Sequence, residues 1–336
     1  MPTSTRATLS LLNQELSVGD HSVFDALTLL RDTIQPDAVR QFLASGSDEA
    51  EPVEVSQLRT IIPEQKIAPL TFEILNGKIT LAAKPNIIPP EDLGNVRAAR
   101  AELVAQGARA LEELEDSNCD KRLVASILYL QEQLLEEGNI VQLGLSNLAA
   151  KVMCDGFHEE LPIAVASMLG AYTRGVDLYV SQYPEWNRFL ENAGAVKLDN
   201  SDVVVTHRLT RSIIKSLEQR SDLVDPRVPK TLARLNEFLQ SPGTMSKRAA
   251  FAVLRSIENL VSSVFSYGTE FLAKTATRVS DDISLAASKV IVVGLLTLAL
   301  GGAAAITPVA GKISEMGWIK NAVELVERQL KRMSSD

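Results

Sequence analysis

The sequence predicts a mainly α protein, a helical bundle with long amphipathic helices plus a small N-terminal α+β region containing a β-hairpin. Three observations carry that expectation. Aromatic residues are 5% of the 336, while Ala, Leu, Glu, Gln and Arg dominate most segments, a usage that favours helix over a large sheet. Apolar positions recur with helical spacing in the long segments after residue 91, as in Val253, Leu254, Ile257, Leu260, Val261 and Val264. One short stretch breaks that period: residues 70–75 and 78–82 alternate about Asn76-Gly77, the dipeptide that a type I′ hairpin turn favours.

Taken in order, residues 9–16, 23–34 and 37–43 read as short helices, the last opened by Pro36 at a first-turn position. Residues 46–54 are acidic, carry Pro52 and read as a loop. A lone hairpin is marginal in water, so residues 70–82 must pack on a helix or pair with another strand, for which 56–62 is the candidate. Pro85, Pro89 and Pro90 make a stiff connector and place a boundary there. The expected organisation is an acidic N-terminal α+β region over 1–88, a helical bundle over 89–288, and an apolar helix or hairpin followed by an amphipathic helix over 289–336. Helices are expected at 91–115, 120–137, 140–154, 160–182, 184–192, 202–219, 226–239 and from Thr244 onward. Their starts carry recognisable signals: Pro90-Glu91-Asp92, Tyr183-Pro184-Glu185, Asp225-Pro226 and Thr244. The run from Ala249 shows an apolar stripe with Arg255, Glu258, Ser262 and Ser266 on the opposite face, the pattern of a core-facing bundle helix.

Charge is unevenly spread. The chain carries 34 basic and 42 acidic residues, a net of −8, and the whole excess falls in residues 1–116. The stretch from His207 to Arg255 is locally basic, and Arg208, Arg211 and Lys215 share one helix face by their spacing. That face is the candidate docking surface for an anionic partner, the alternatives being a solvated face or pairing with the chain's own acidic third. No aromatic residues are interleaved there to stack bases, so nucleic acid is not the expected partner.

Chemical motifs are sparse. The two cysteines, Cys119 and Cys154, form no CxxC, and no GxGxxG, HExxH, GxSxG or P-loop spacing occurs. Asp155 and His158 are the densest potential ligand pair, with Glu132 and Glu136 as distant candidates; a turn between helices is the simpler reading. No catalytic, metal or cofactor residue is assigned, and the chain is not expected to be an enzyme.

The conspicuous feature is the charge-free run between Lys289 and Lys312. At ~1.5 Å per residue it is long enough for the ~30 Å hydrocarbon core of a bilayer. Val290, Ile291, Val293, Leu296 and Leu300 belong to its strongly apolar half, and Gly301, Ala305 and Pro308 to a weaker half of small residues. Three fates follow: a span, a hairpin broken at Gly301-Gly302 that inserts conditionally, or a buried helix. The functional expectation is therefore a non-enzymatic helical effector or scaffold that associates with the membrane through 290–311 and binds a protein partner through its N-terminal region. The alternative is a soluble homo-oligomeric scaffold or complex subunit with 290–311 as buried interface. With no apolar leader in residues 1–16, the chain is expected in the cytoplasm or at the cytoplasmic membrane.

Overall fold

A computed structural model describes residues 53–82, 92–136, 138–276 and 283–333. The helices expected at 9–16, 23–34 and 37–43 and the connector Pro85–Pro90 lie outside those residues. Chain order is α1 (Val53–Ile61), β1 (Phe72–Leu75), β2 (Lys78–Leu81), α2 (Leu93–Asp116), α3 (Lys121–Leu135), α4 (Ile140–Gly156), α5 (Ile163–Ser181), α6 (Pro184–Ala195), α7 (Asn200–Glu218), α8 (Arg227–Glu237), α9 (Thr244–Ala276), α10 (Ile283–Ala310) and α11 (Trp318–Met333). The mainly helical class with one small hairpin is what the composition and periodicity predict.

Helix starts are set by side-chain caps. Asp92 accepts from the Asn95 N–H, Asp120 from the Arg122 N–H, and Asn139 from the N–H groups of Val141 and Gln142, each satisfying a donor that has no partner within its helix. Helix α7 opens on a capping box in which Asp199 and Asp202 each accept the other's backbone N–H. Pro184 sits in the first turn of α6, where its missing N–H costs nothing.

The hairpin forms at the expected place, with Phe72 opposite Leu81 and Leu75 opposite Lys78. Asn76 and Gly77 both have positive φ, 53° and 75°, as a type I′ turn requires. The segment proposed as a third strand, 56–62, is instead mostly helix α1: Leu58 faces inward and Gln57 and Arg59 outward, a single-sided burial that suits a helix turn. Strand β2 finds its outer partner elsewhere. The Ile79 N–H donates to Leu223 O and the Asp225 N–H to Ile79 O, so a short parallel bridge joins the hairpin to the α7–α8 connection.

Helix α9 is the axis of the fold. Its 33 residues span about 50 Å, and every residue from Ala249 to Val261 is buried. The polar face expected opposite the apolar stripe is therefore inside: Arg255 and Glu258 are 4% and 1% exposed, Ser262 is buried, and of that set Ser266 alone reaches solvent. Burial is tolerable because the polar atoms are partnered. Asn259 accepts from the Lys66 N–H and donates to the carbonyls of Lys66 and Leu70, Ser262 donates to Pro63 O, and Ser263 to Phe72 O. This row of hydrogen bonds laces loop 62–71 and the hairpin onto α9. Arg255 bridges Glu258 and Glu315, and Trp318 Nε1 donates to Glu258 Oε1 at 2.9 Å, which fastens the start of α11 to the same helix. The hydrophobic core is one contiguous cluster in which Leu58, Leu70, Phe72 and Ile79 join the helices.

Helix α10 runs unbroken through Gly301-Gly302, which corrects the hairpin alternative for 289–311. Neither glycine has positive φ, and both are buried. Gly302 faces α9, where a Cβ would stand 4.0 Å from Ile257 Cγ2, an ordinary contact distance. Pro308 falls in the last turn before the helix ends at Ala310.

Candidate interaction surfaces: the apolar helix and the basic stripe

The residues assigned to the apolar segment divide into two faces. Leu296, Leu300 and Gly301 are buried, together with Val292, Leu295, Ala299, Ala303 and Ile306. Val290 is 51% exposed, Ile291, Val293 and Ala305 are half-buried, and Pro308 is exposed. Residues 290–310 have mean hydropathy 2.3, and half of the most apolar stretch is covered by the rest of the protein. The buried face packs on α9, where a Cβ on Gly268 would come within 2.8 Å of Leu296 Cδ2.

What touches α10 elsewhere is partly polar. A Cβ on Gly294 would meet Leu223 Cδ1 at 2.6 Å and the Arg220 guanidinium at 3.1 Å, so that cation lies directly over the helix backbone. Arg220 is held there by a bidentate pair with Asp222, at 3.0 and 2.8 Å, and this guanidinium keeps the Asp222 carboxyl below its usual range. The hairpin tip covers another stretch, with Ile291 Cγ2 at 3.1 Å from the position a Gly77 Cβ would take. Just beyond the helix end, Lys312 Nζ donates to Asp202 at 2.7 Å and to Asp199 at 3.2 Å. The Ser201 hydroxyl, the Asp202 N–H and Lys312 together hold the Asp199 carboxyl well below the usual carboxylate range. The C-terminal end of α10 is thus tied to the first turn of α7. On the half-covered face, Thr297 and Thr307 donate their hydroxyls back to the carbonyls of Val293 and Ala303, so neither needs an outside partner.

The basic stripe is where the spacing placed it. Arg208, Arg211 and Lys215 all project from the exposed side of α7, with Val204 on the same side at 68% exposure. The structure sorts the locally basic stretch into two groups. Arg220 is paired with Asp222, Arg227 with Asp225, Arg234 with Glu237, and Arg255 with Glu258 and Glu315. Arg208, Arg211 and Lys215, with Lys230, Lys247 and Arg248, have no ion-pair partner among the described residues. Four of the pairs join residues two or three apart, and Arg255–Glu315 alone depends on distant packing.

Asp155 and His158 line a groove of about 250 Å³ between α4 and α5 that also takes in Lys151, Cys154, Gly170 and Arg174. The groove exists because Ala166 and Gly170 leave no side chain to fill it; a Cβ on Gly170 would meet nothing within 4 Å. Lys151 is already bonded to Asp177 at 2.5 Å, and burial pushes the Cys154 thiol up to about 11, out of the reactive range at neutral pH. Glu132 and Glu136 are not part of it, and among the described residues no group of three or more His, Cys, Asp or Glu is placed to hold a metal. Comparison with protein families, with curated proteins and with solved structures finds no match to this chain.

Proposed function

We propose that the protein is a non-enzymatic helical scaffold or complex subunit that works through surface contacts, with residues 290–311 packed as a bundle helix and their half-covered flank closed by a second copy. The observation that carries this reading is the polar fastening of α10: Arg220 over Gly294, and Lys312 shared between Asp199 and Asp202. Moving α10 into hydrocarbon would strip it from α9; its own apolar side chains would stay out of water there, so the cost falls on the α9 face left uncovered and on the contacts of Arg220 and Lys312 that would be broken. The flank carries Val290, Ile291, Val293 and Leu298 beside small residues and threonines whose hydroxyls are satisfied within the helix, an apolar surface that a second copy would cover.

A second reading, membrane association through 290–311, draws on length and hydropathy: 21 residues at mean hydropathy 2.3. Leu296→Arg separates the two. In a packed helix it buries an unpaired charge, so cooperative melting is lost or the particle disassembles. In a spanning helix it costs ~2.5 to 3.5 kcal/mol of insertion, so the chain leaves the membrane still folded. Detergent-free fractionation with light-scattering mass measurement of the wild type completes the test. A soluble particle at a multiple of 36.5 kDa is expected. A soluble monomer would remove the second copy, and a membrane-bound chain would remove the scaffold reading altogether.

A further inference from the structure

We propose that the α7 stripe Arg208–Arg211–Lys215 is the docking face for this chain's own acidic N-terminal segment, residues 1–52. Three cations lie in one exposed row on a single helix, none has an ion-pair partner among the described residues, and the protein around them is net acidic. Every other arginine from 220 to 255 except Arg248 is paired with a carboxylate nearby, and although Lys230, Lys247 and Arg248 are unpaired too, the stripe alone sets three such cations on one helix face of that stretch among the described residues. Residues 1–52 supply the complement. They hold Glu15, Asp20, Asp25, Asp32, Asp37, Asp48, Glu49 and Glu51 against Arg6, Arg31 and Arg40, a net of −5.

Spacing and reach agree with charge. Asp25 and Asp32 are seven residues apart, as Arg208 and Lys215 are, and they fall in the stretch 23–34 that the sequence pattern reads as helix. Seven residues of helix advance about 10 Å on both sides of such a contact. Exposed Val204, one turn before Arg208, offers an apolar end to the same row. The tether is long. Helix α1 begins at Val53 and packs on α9 and α11, while α7 is fastened by Lys312 at the α10–α11 corner. The 18 residues from 35 to 52 extend to about 60 Å.

Zero-length carbodiimide coupling of the full chain tests this, because the reagent joins a lysine to a carboxylate in direct contact and Lys215 is the reporter. The expected product is Lys215 linked to a carboxylate of residues 15–51 within one chain. Its yield should fall about fivefold or more in 0.5 M salt, where screening shortens to a few ångströms. It should fall equally in R208Q/R211Q, which keeps the reporter lysine, adds no carboxylate and substitutes exposed positions only; an unchanged melting curve verifies that this variant is folded. Mixing light and isotope-labelled chains distinguishes one chain from two. A link between chains, Lys215 links only to carboxylates outside 1–52 such as the neighbouring Glu218, or a Lys215 left unlinked while other lysines react would each overturn the proposal.

Discussion

The contact between Gly268 of α9 and Leu296 of α10 allows the packing of the apolar helix to be measured directly. Leu296→Ala removes a side chain that is 6% exposed and leaves a cavity, a loss of ~2 to 5 kcal/mol. Gly268→Ala places a methyl 2.8 Å from Leu296 Cδ2, where ordinary carbon contact needs ~3.5 to 4.0 Å. Crowding of that kind costs ~1 to 3 kcal/mol, offset by the ~1 kcal/mol that alanine gains over glycine inside a helix. The single change should therefore destabilise by about 0 to 2 kcal/mol. In the double variant the crowding disappears, since the branched end of Leu296 is gone, and the new methyl fills part of the hole. The two changes should then be less costly together than their sum by ~1 to 3 kcal/mol. Urea denaturation in detergent-free buffer, followed by far-ultraviolet circular dichroism at constant m-value, reads all four corners of the cycle. Additivity within ~0.5 kcal/mol would mean that the two residues do not touch, and the packed placement of α10 would be refuted.

Three further outcomes follow from particular contacts. Arg255→Met should cost ~3 to 5 kcal/mol by leaving Glu258 charged and buried, and Arg255→Met with Glu258→Leu should recover most of it, read by thermal melting. Gly77→Val should destabilise by more than ~1 kcal/mol, from strain at φ 75°, and because Ile291 stands 3.1 Å from the new Cβ, amide exchange should rise in α10 and around Val224 as well as in the hairpin. The Arg122 side chain and N–H lower Asp120 from 3.8 to about 2, and Asp199 is lowered in the same direction; the unfolded chain then binds more protons near pH 3. Both contributions are therefore complete above about pH 4 to 5 and lost as pH falls towards 2, and Asp120→Asn with Lys312→Gln should flatten that part of the stability profile, whereas an unchanged slope would contradict it.

Local rules account for much of this protein before any tertiary contact is considered. Helical periodicity, capping residues such as Asp92, Asp120 and Asn139, and the positive-φ demand of Asn76-Gly77 act within a few residues, so element type and the α7 stripe were legible in the chain itself. Where each surface ends up is not a local property. Arg255, Glu258 and Ser262 read as a solvent face because their spacing opposes the apolar stripe, yet they are interior because loop 62–71 and α11 pack over them and satisfy their polar atoms. Residues 56–62 were read as a strand partner, but they meet α9 and α11 with one side only, and strand β2 bonds across to Leu223 and Asp225, some 140 residues away in sequence. Gly301-Gly302 looks like a turn in a linear string, yet both residues stay helical and buried inside α10. Composition alone determined that residues 290–311 are apolar enough to leave water. Only the tertiary structure decided which side of that helix is covered, because burial depends on what arrives from distant parts of the chain, here α9, the hairpin tip, Arg220 and the paired carboxylates of Asp199 and Asp202.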